Sequence, residues 1–187
     1  MKFSKFPGLM LIAILFGFVL TPCFGKVFYS KDEALKLAFG DEASVESLAL
    51  FPSEQQVTQI EQLAKVKLES KLFSFYVGKK QNAIIGYAAI ESHTVRTQPE
   101  TLLILLDAQG NLSHVYTLAF HEPPEYQTPE RWFAQLLNHP IDTLSFDKDI
   151  QGVAGATLSA RAALNSTRKV LAMYQIMLKP ANNQAGQ

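Results

Sequence analysis

The sequence predicts an α+β domain, an antiparallel sheet of hairpins packed by helices, and three observations predict it. Ser-x-x-(Glu/Gln) signatures at Ser30 and Ser53 each open a helical pattern. Between residues 72 and 120, apolar and aromatic runs come in pairs joined by short polar turns. A long apolar stripe at helical spacing then closes the chain.

In chain order, the first helix starts at Ser30-Lys31-Asp32-Glu33 and runs into Ala34-Leu35-Lys36-Leu37. Ser53-Glu54-Gln55-Gln56 repeats the signature, with Val57, Ile60, Ala64 and Lys67 at helical spacing. Leu72–Val77 is an aromatic-rich strand, Gly78-Lys79-Lys80-Gln81-Asn82 a hairpin turn, and Ala83–Ser92 its partner. Thr101–Leu106 and Leu112–Phe120 form a second hairpin across Asp107-Ala108-Gln109-Gly110. Thr128-Pro129-Glu130 opens a third helix, with proline at the first helical position, where no amide donor is needed. The last helix spans about Leu158 to Leu178, with Leu164, Thr167, Leu171, Tyr174 and Leu178 on one face against the sheet.

Length and composition bound the rest. A chain of 187 residues, 48% hydrophobic and 18% charged, buries one good core and is too short for two comfortable domains. Seventeen basic residues balance seventeen acidic ones, so no basic field gathers nucleic acid. The single cysteine, Cys23, excludes an intrachain disulfide and any multi-cysteine metal or iron–sulfur site.

The first 25 residues read as an address. Lys2 and Lys5 form a basic head, Leu9 to Leu20 is an uncharged apolar run, and Pro22 precedes Cys23-Phe24-Gly25. The run is too short for a hydrocarbon core of about 30 Å, so residues 1–25 fit a secretory signal cut after Gly25. Two further readings stay open: lipidation of Cys23, although Pro22 departs from the small residue usual there, and an uncleaved anchor. All three place the folded part outside the cytoplasmic membrane, in the periplasm or on the membrane's outer face. Residues 26–70 then form an N-terminal helical segment, 71–179 the main domain, and 180–187 a polar tail.

Most of the chemistry lies in Asp149-Ile150-Gln151-Gly152-Val153-Ala154-Gly155-Ala156-Thr157-Leu158-Ser159. Gly155 and Ala156 are small residues just ahead of a long helix, with hydroxyls at Thr157 and Ser159. Free amides and the dipole at a helix N-terminus favour an anion, and small residues let phosphate approach the backbone. Thr157 there either caps the helix or offers its hydroxyl to phosphorus.

Gly155-Ala156-Thr157 opening a helix resembles the flavinylation motif of the FMN-binding domain family. That family includes the covalent-flavin subunits of the Rnf complex and of the sodium-pumping NADH:quinone reductase, together with short exported single-domain proteins. The resemblance implies that residues 71–179 are an FMN-binding domain. It also implies that an exported flavin transferase splits FAD and joins the FMN half to Thr157 through a phosphoester. The likeness runs from about Phe73 to Met177 and includes Gly86-Tyr87, the two hairpins and the loop His121-Glu122-Pro123-Pro124-Glu125-Tyr126. The family's usual pattern is aspartate, two variable residues, serine or threonine, then glycine-alanine-threonine. This chain has Gln151 in the aspartate place and Ala154 in the serine-or-threonine place, with Asp149 two residues early.

Carried onto this sequence, the expected cofactor site is Thr157 as attachment residue, with Gly155, Ala156, Leu158 and Ser159 around it and Asp149 brought round by its loop. His121 and Glu122 are candidates to tune the flavin, and Tyr126, Trp132 or Phe120 to pack on its ring. Trp132 equally suits a core anchor, and the prolines after Glu122 equally suit a rigid surface loop. The implied role is an electron-transfer component of a cell-envelope redox chain rather than a stand-alone catalyst, its partner a membrane oxidoreductase or a cytochrome.

Other chemistries find less support. There is no Gly-x-Ser-x-Gly elbow, and Ser159 has no obvious base. His93, His114, His121 and His139, with Glu122 or Glu125, lack zinc-type spacing. The main rival is a non-enzymatic envelope binding or assembly module in which Thr157 only caps a helix.

Overall fold

Both capping boxes form, and they set the first two helices. Ser30 Oγ accepts the Glu33 amide at 3.3 Å while the Glu33 carboxylate accepts the Ser30 amide at 2.7 Å, starting α1 (Lys31–Phe39). Ser53 and Gln56 make the same reciprocal pair ahead of α2 (Glu54–Ala64). Each such cap stabilises its helix by about 1 kcal/mol. α2 ends where Lys65 turns left-handed (φ 52°). Lys67, expected on the helix, therefore lies beyond it, and its ammonium folds back onto Glu61 at 2.5 Å.

The computed structural model describes residues 25–179. Apart from Gly25, the expected signal with Cys23 lies outside them, as does the 180–187 tail. Among the described residues no helix is long and apolar enough to cross a membrane.

Among the described residues six antiparallel strands make one sheet, in the order β1-β6-β5-β4-β3-β2. They are β1 (Lys26–Val27), β2 (Ser44–Leu50), β3 (Phe73–Lys80), β4 (Ala83–Thr94), β5 (Pro99–Asp107) and β6 (Leu112–Phe120). The fold class is α+β, as the sequence predicts.

Three details differ from the sequence reading. The segment 26–70, expected to be helical, also carries β2, which pairs with β3 from Ser44↔Lys79 to Leu50↔Phe73. The β3–β4 turn is only Gln81-Asn82, both with positive φ, as a tight hairpin turn demands. Gly78, expected in the turn, instead sits within β3, where a Cβ would come 2.3 Å from the Phe39 ring. That glycine lets α1 lie close on the sheet. Finally, Glu130–Leu136 is 3-10 rather than α-helical, and Pro129 caps it instead of being its first residue. Phe133 and Leu136 share one face at three residues per turn, and both are buried with Trp132.

Both faces of the sheet are covered, which explains the unbroken apolar run in β5. Leu102, Ile104 and Leu106 face α2 and the long helix α3 (Thr157–Met177), joining Phe75, Tyr87 and Leu164 in the larger core. Leu103 and Leu105 face α1 and pack with Ala34, Ala88 and Leu118. The stripe expected on α3 is in place, with Leu164, Thr167, Leu171 and Tyr174 buried and Leu178 packed at its end.

Candidate functional site

The loop entering α3 is anchored at one end by the core. Ile150 is buried, the Trp132 indole donates to the Gln151 carbonyl at 2.6 Å, and the Gln151 amide donates to Gln135 Oε1 at 3.0 Å. The chain then turns: the Ala156 amide reaches the Val153 carbonyl at 3.2 Å, across Gly155 at φ +85°. Only glycine adopts that conformation without strain.

Ala156 is the residue preceding α3, and among the described residues no side chain caps the helix. Its first amides are therefore left without an intrahelical or side-chain partner. Thr157 is the first helical residue and does not serve as a cap, contrary to one of its two expected roles. Its exposed hydroxyl donates to the Val153 carbonyl at 3.0 Å.

Around this helix start lies a cavity of about 200 Å³. Gly155, Ala156, Thr157, Leu158 and Ser159 form one wall, and Tyr126 with Val95 and Arg96 forms the other. The buried Ser159 hydroxyl donates to the Tyr126 carbonyl and ties the two walls together. Arg96 was not legible as a site residue. It stands in the β4–β5 connection with its guanidinium 4.4 Å from the Tyr126 ring centre, a cation–π contact. It makes no ion pair among the described residues. The available signal was a lone arginine in Val95-Arg96-Thr97-Gln98 between two apolar strands.

Glu122 holds that connection in shape. Its buried carboxylate accepts the amides of Thr97 at 2.6 Å, Gln98 at 2.8 Å and Arg96 at 3.1 Å. Those bonds, the Thr97 amide foremost, keep the Glu122 carboxyl below the usual carboxylate range. Glu122 thus acts on the wall behind Arg96 rather than lining the cavity.

The remaining candidates lie elsewhere. Trp132 is buried against Phe133 and Phe146 and reaches the site only through the Gln151 carbonyl. Phe120 is buried in β6. Asp149 is exposed and faces His139 at 3.8 Å, outside the cavity lining. His121 donates its amide to the Pro99 carbonyl, and its ring packs beside Gly25. Among the described residues no group of three or more His, Cys, Asp or Glu is placed to hold a metal ion.

No family model matches the chain, and neither a curated protein nor a solved structure matches it.

The donor set suits a phosphate ester: uncapped amides, an unpaired guanidinium and an exposed hydroxyl around one cavity. The volume suits the phosphate end of a nucleotide better than a whole flavin, since drug-sized ligands fill roughly 300–1,000 Å³.

Proposed function

We propose that this chain is an exported flavoprotein that carries FMN through a phosphoester on Thr157 and relays electrons in a cell-envelope redox chain. The observation that supports it is the exposed Thr157 hydroxyl, set beside Arg96 at the uncapped start of α3. Arg96 and the first amides of α3 bind the phosphate. Gly155 lets the chain bend beneath it, and Ser159 ties the Tyr126 wall to the helix start.

Attachment replaces the Thr157 hydroxyl proton with phosphorus, so the bond to Val153 is given up in the loaded protein. A flavin transferase supplies the FMN from FAD, releasing AMP. When bound, the flavin supplies the electron transfer, and the chain supplies orientation and shielding. The partners are a membrane oxidoreductase or a cytochrome of the envelope.

The Thr157–Val153 hydrogen bond favours a second reading, a binding or assembly module in which Thr157 stays unmodified. A denaturing gel under ultraviolet light separates the two when the protein is made together with a flavin transferase. A fluorescent band supports covalent flavin, and a dark band supports the module.

A further inference from the structure

A second cluster of reactive side chains lies between β4 and α3, away from Thr157. His93 on β4 is paired across the sheet with Glu100 on β5, and its Nε2 lies 3.0 Å from Glu100 Oε2. Its Nδ1 lies 3.0 Å from Ser166 Oγ on α3. One tautomer satisfies both contacts: Nε2–H donates to Glu100, and Nδ1 accepts the Ser166 hydroxyl proton.

Two features are not explained by helix packing. Hydroxyls inside a helix commonly donate to the carbonyl four residues back, as Thr167 does to Ala163 at 2.9 Å and Thr58 to Glu54 at 3.0 Å. Ser166 instead turns its oxygen to His93. Glu100 is wholly buried, and its second oxygen has no partner among the described residues, a costly arrangement that a purely structural contact does not require. Ser166 and His93 also line a cavity of about 180 Å³, together with Asn165 and Lys169.

From this geometry we propose that Ser166 is an activated nucleophile for small acyl esters, with His93 as its general base and Glu100 as the residue that positions His93. Ser166 Oγ attacks the ester carbonyl carbon as its proton passes to His93 Nδ1. Collapse breaks the bond to the leaving oxygen, which takes that proton and departs as the alcohol. Water then attacks the acyl-serine, again giving a proton to His93. The carboxylic acid leaves and the proton returns to Ser166. The Asn165 amide and the Lys169 ammonium, which also pairs with Glu91, line the same cavity and are the donors assigned to the developing oxyanion. The cavity volume restricts the acyl group to a short one. This assignment is independent of any flavin on Thr157.

The test treats the full chain with a fluorophosphonate probe and, separately, with p-nitrophenyl acetate. One covalent adduct is expected, on the peptide holding Ser166, with fluoride lost from the probe. Ser166→Ala should fold, by circular dichroism, and lose the adduct. His93→Gln should slow labelling at least about 100-fold. Glu100→Gln should shift the pH profile of labelling, which a merely structural contact would leave in place. An unlabelled wild-type protein, or a folded Ser166→Ala variant that still labels and hydrolyses, overturns the proposal and leaves the cluster as a strut between α3 and the sheet.

Discussion

The Glu122 carboxylate accepts the Thr97 amide at 2.6 Å, and this contact fixes the loop that carries Arg96. Because the folded carboxyl is more acidic than its ordinary value of 4.5, the stability it contributes is fully present above that pH. It is lost as the pH falls through the lowered folded value. Hydrogen exchange at Arg96, Thr97 and Gln98 should therefore quicken, relative to the β4 core, once the solution is acid enough to protonate Glu122. Glu122→Gln should remove that local pH dependence. Protection that does not change with pH in the wild type would count against the carboxylate as the clamp.

Arg96 is the cation of the proposed phosphate site. Losing a charged hydrogen bond costs about 1.5–3 kcal/mol, so Arg96→Ala should lower flavin loading roughly tenfold or more while the thermal midpoint stays close to wild type. Arg96→Lys keeps the charge without the planar fork and should fall in between. Full loading of Arg96→Ala would place the phosphate elsewhere.

Gly155 and Gly152 separate conformation from crowding. A Cβ at either position meets open space or only ordinary contact, the nearest atom to Gly155 being the Glu125 carbonyl at 3.9 Å. Gly155 alone of the two has a left-handed φ, so Gly155→Ala should destabilise by about 1–2 kcal/mol in urea unfolding. Gly152→Ala should be neutral or stabilising by up to about 1 kcal/mol. Equal effects at the two sites would mean the turn is not held as described.

Trp132 tests the anchoring of the site loop by the core. Trp132→Phe keeps most of the ring but removes the donor to the Gln151 carbonyl, and should cost about 1 kcal/mol or somewhat more in stability. Exchange at Gly152 to Ala156 should also speed up. Unchanged exchange there would show that the loop stands without the indole.

What the sequence revealed was local, and what it hid depended on distant partners. The capping boxes at Ser30 and Ser53 act within four residues, so they were legible. The α3 stripe follows from helical periodicity alone. β2 escaped because six of its seven residues are exposed, leaving no alternation to read, and it is a strand only through β3. Arg96 escaped because Glu122, which shapes its loop, is 26 residues away in sequence. The Ser166–His93 pair spans 73 residues and carries no local motif. Asp149 was expected at Thr157 from the resemblance, as the carboxylate nearest the family's aspartate place, but it faces His139 at 3.8 Å while its neighbour Ile150 is buried in the core.

The central claim is the bond on Thr157, and the most direct measurement is the intact mass of the full chain made together with a flavin transferase. The account predicts an increase equal to FMN less one water, located on the peptide holding Gly155-Ala156-Thr157. The increase should vanish in Thr157→Val, which keeps the shape but has no oxygen to esterify, and should persist in part in Thr157→Ser. Loss of the Val153 contact in Thr157→Val costs about 1 kcal/mol, which a domain of ordinary stability survives. An unmodified wild-type mass, a label on Ser159, or a labelled Thr157→Val would contradict the assignment.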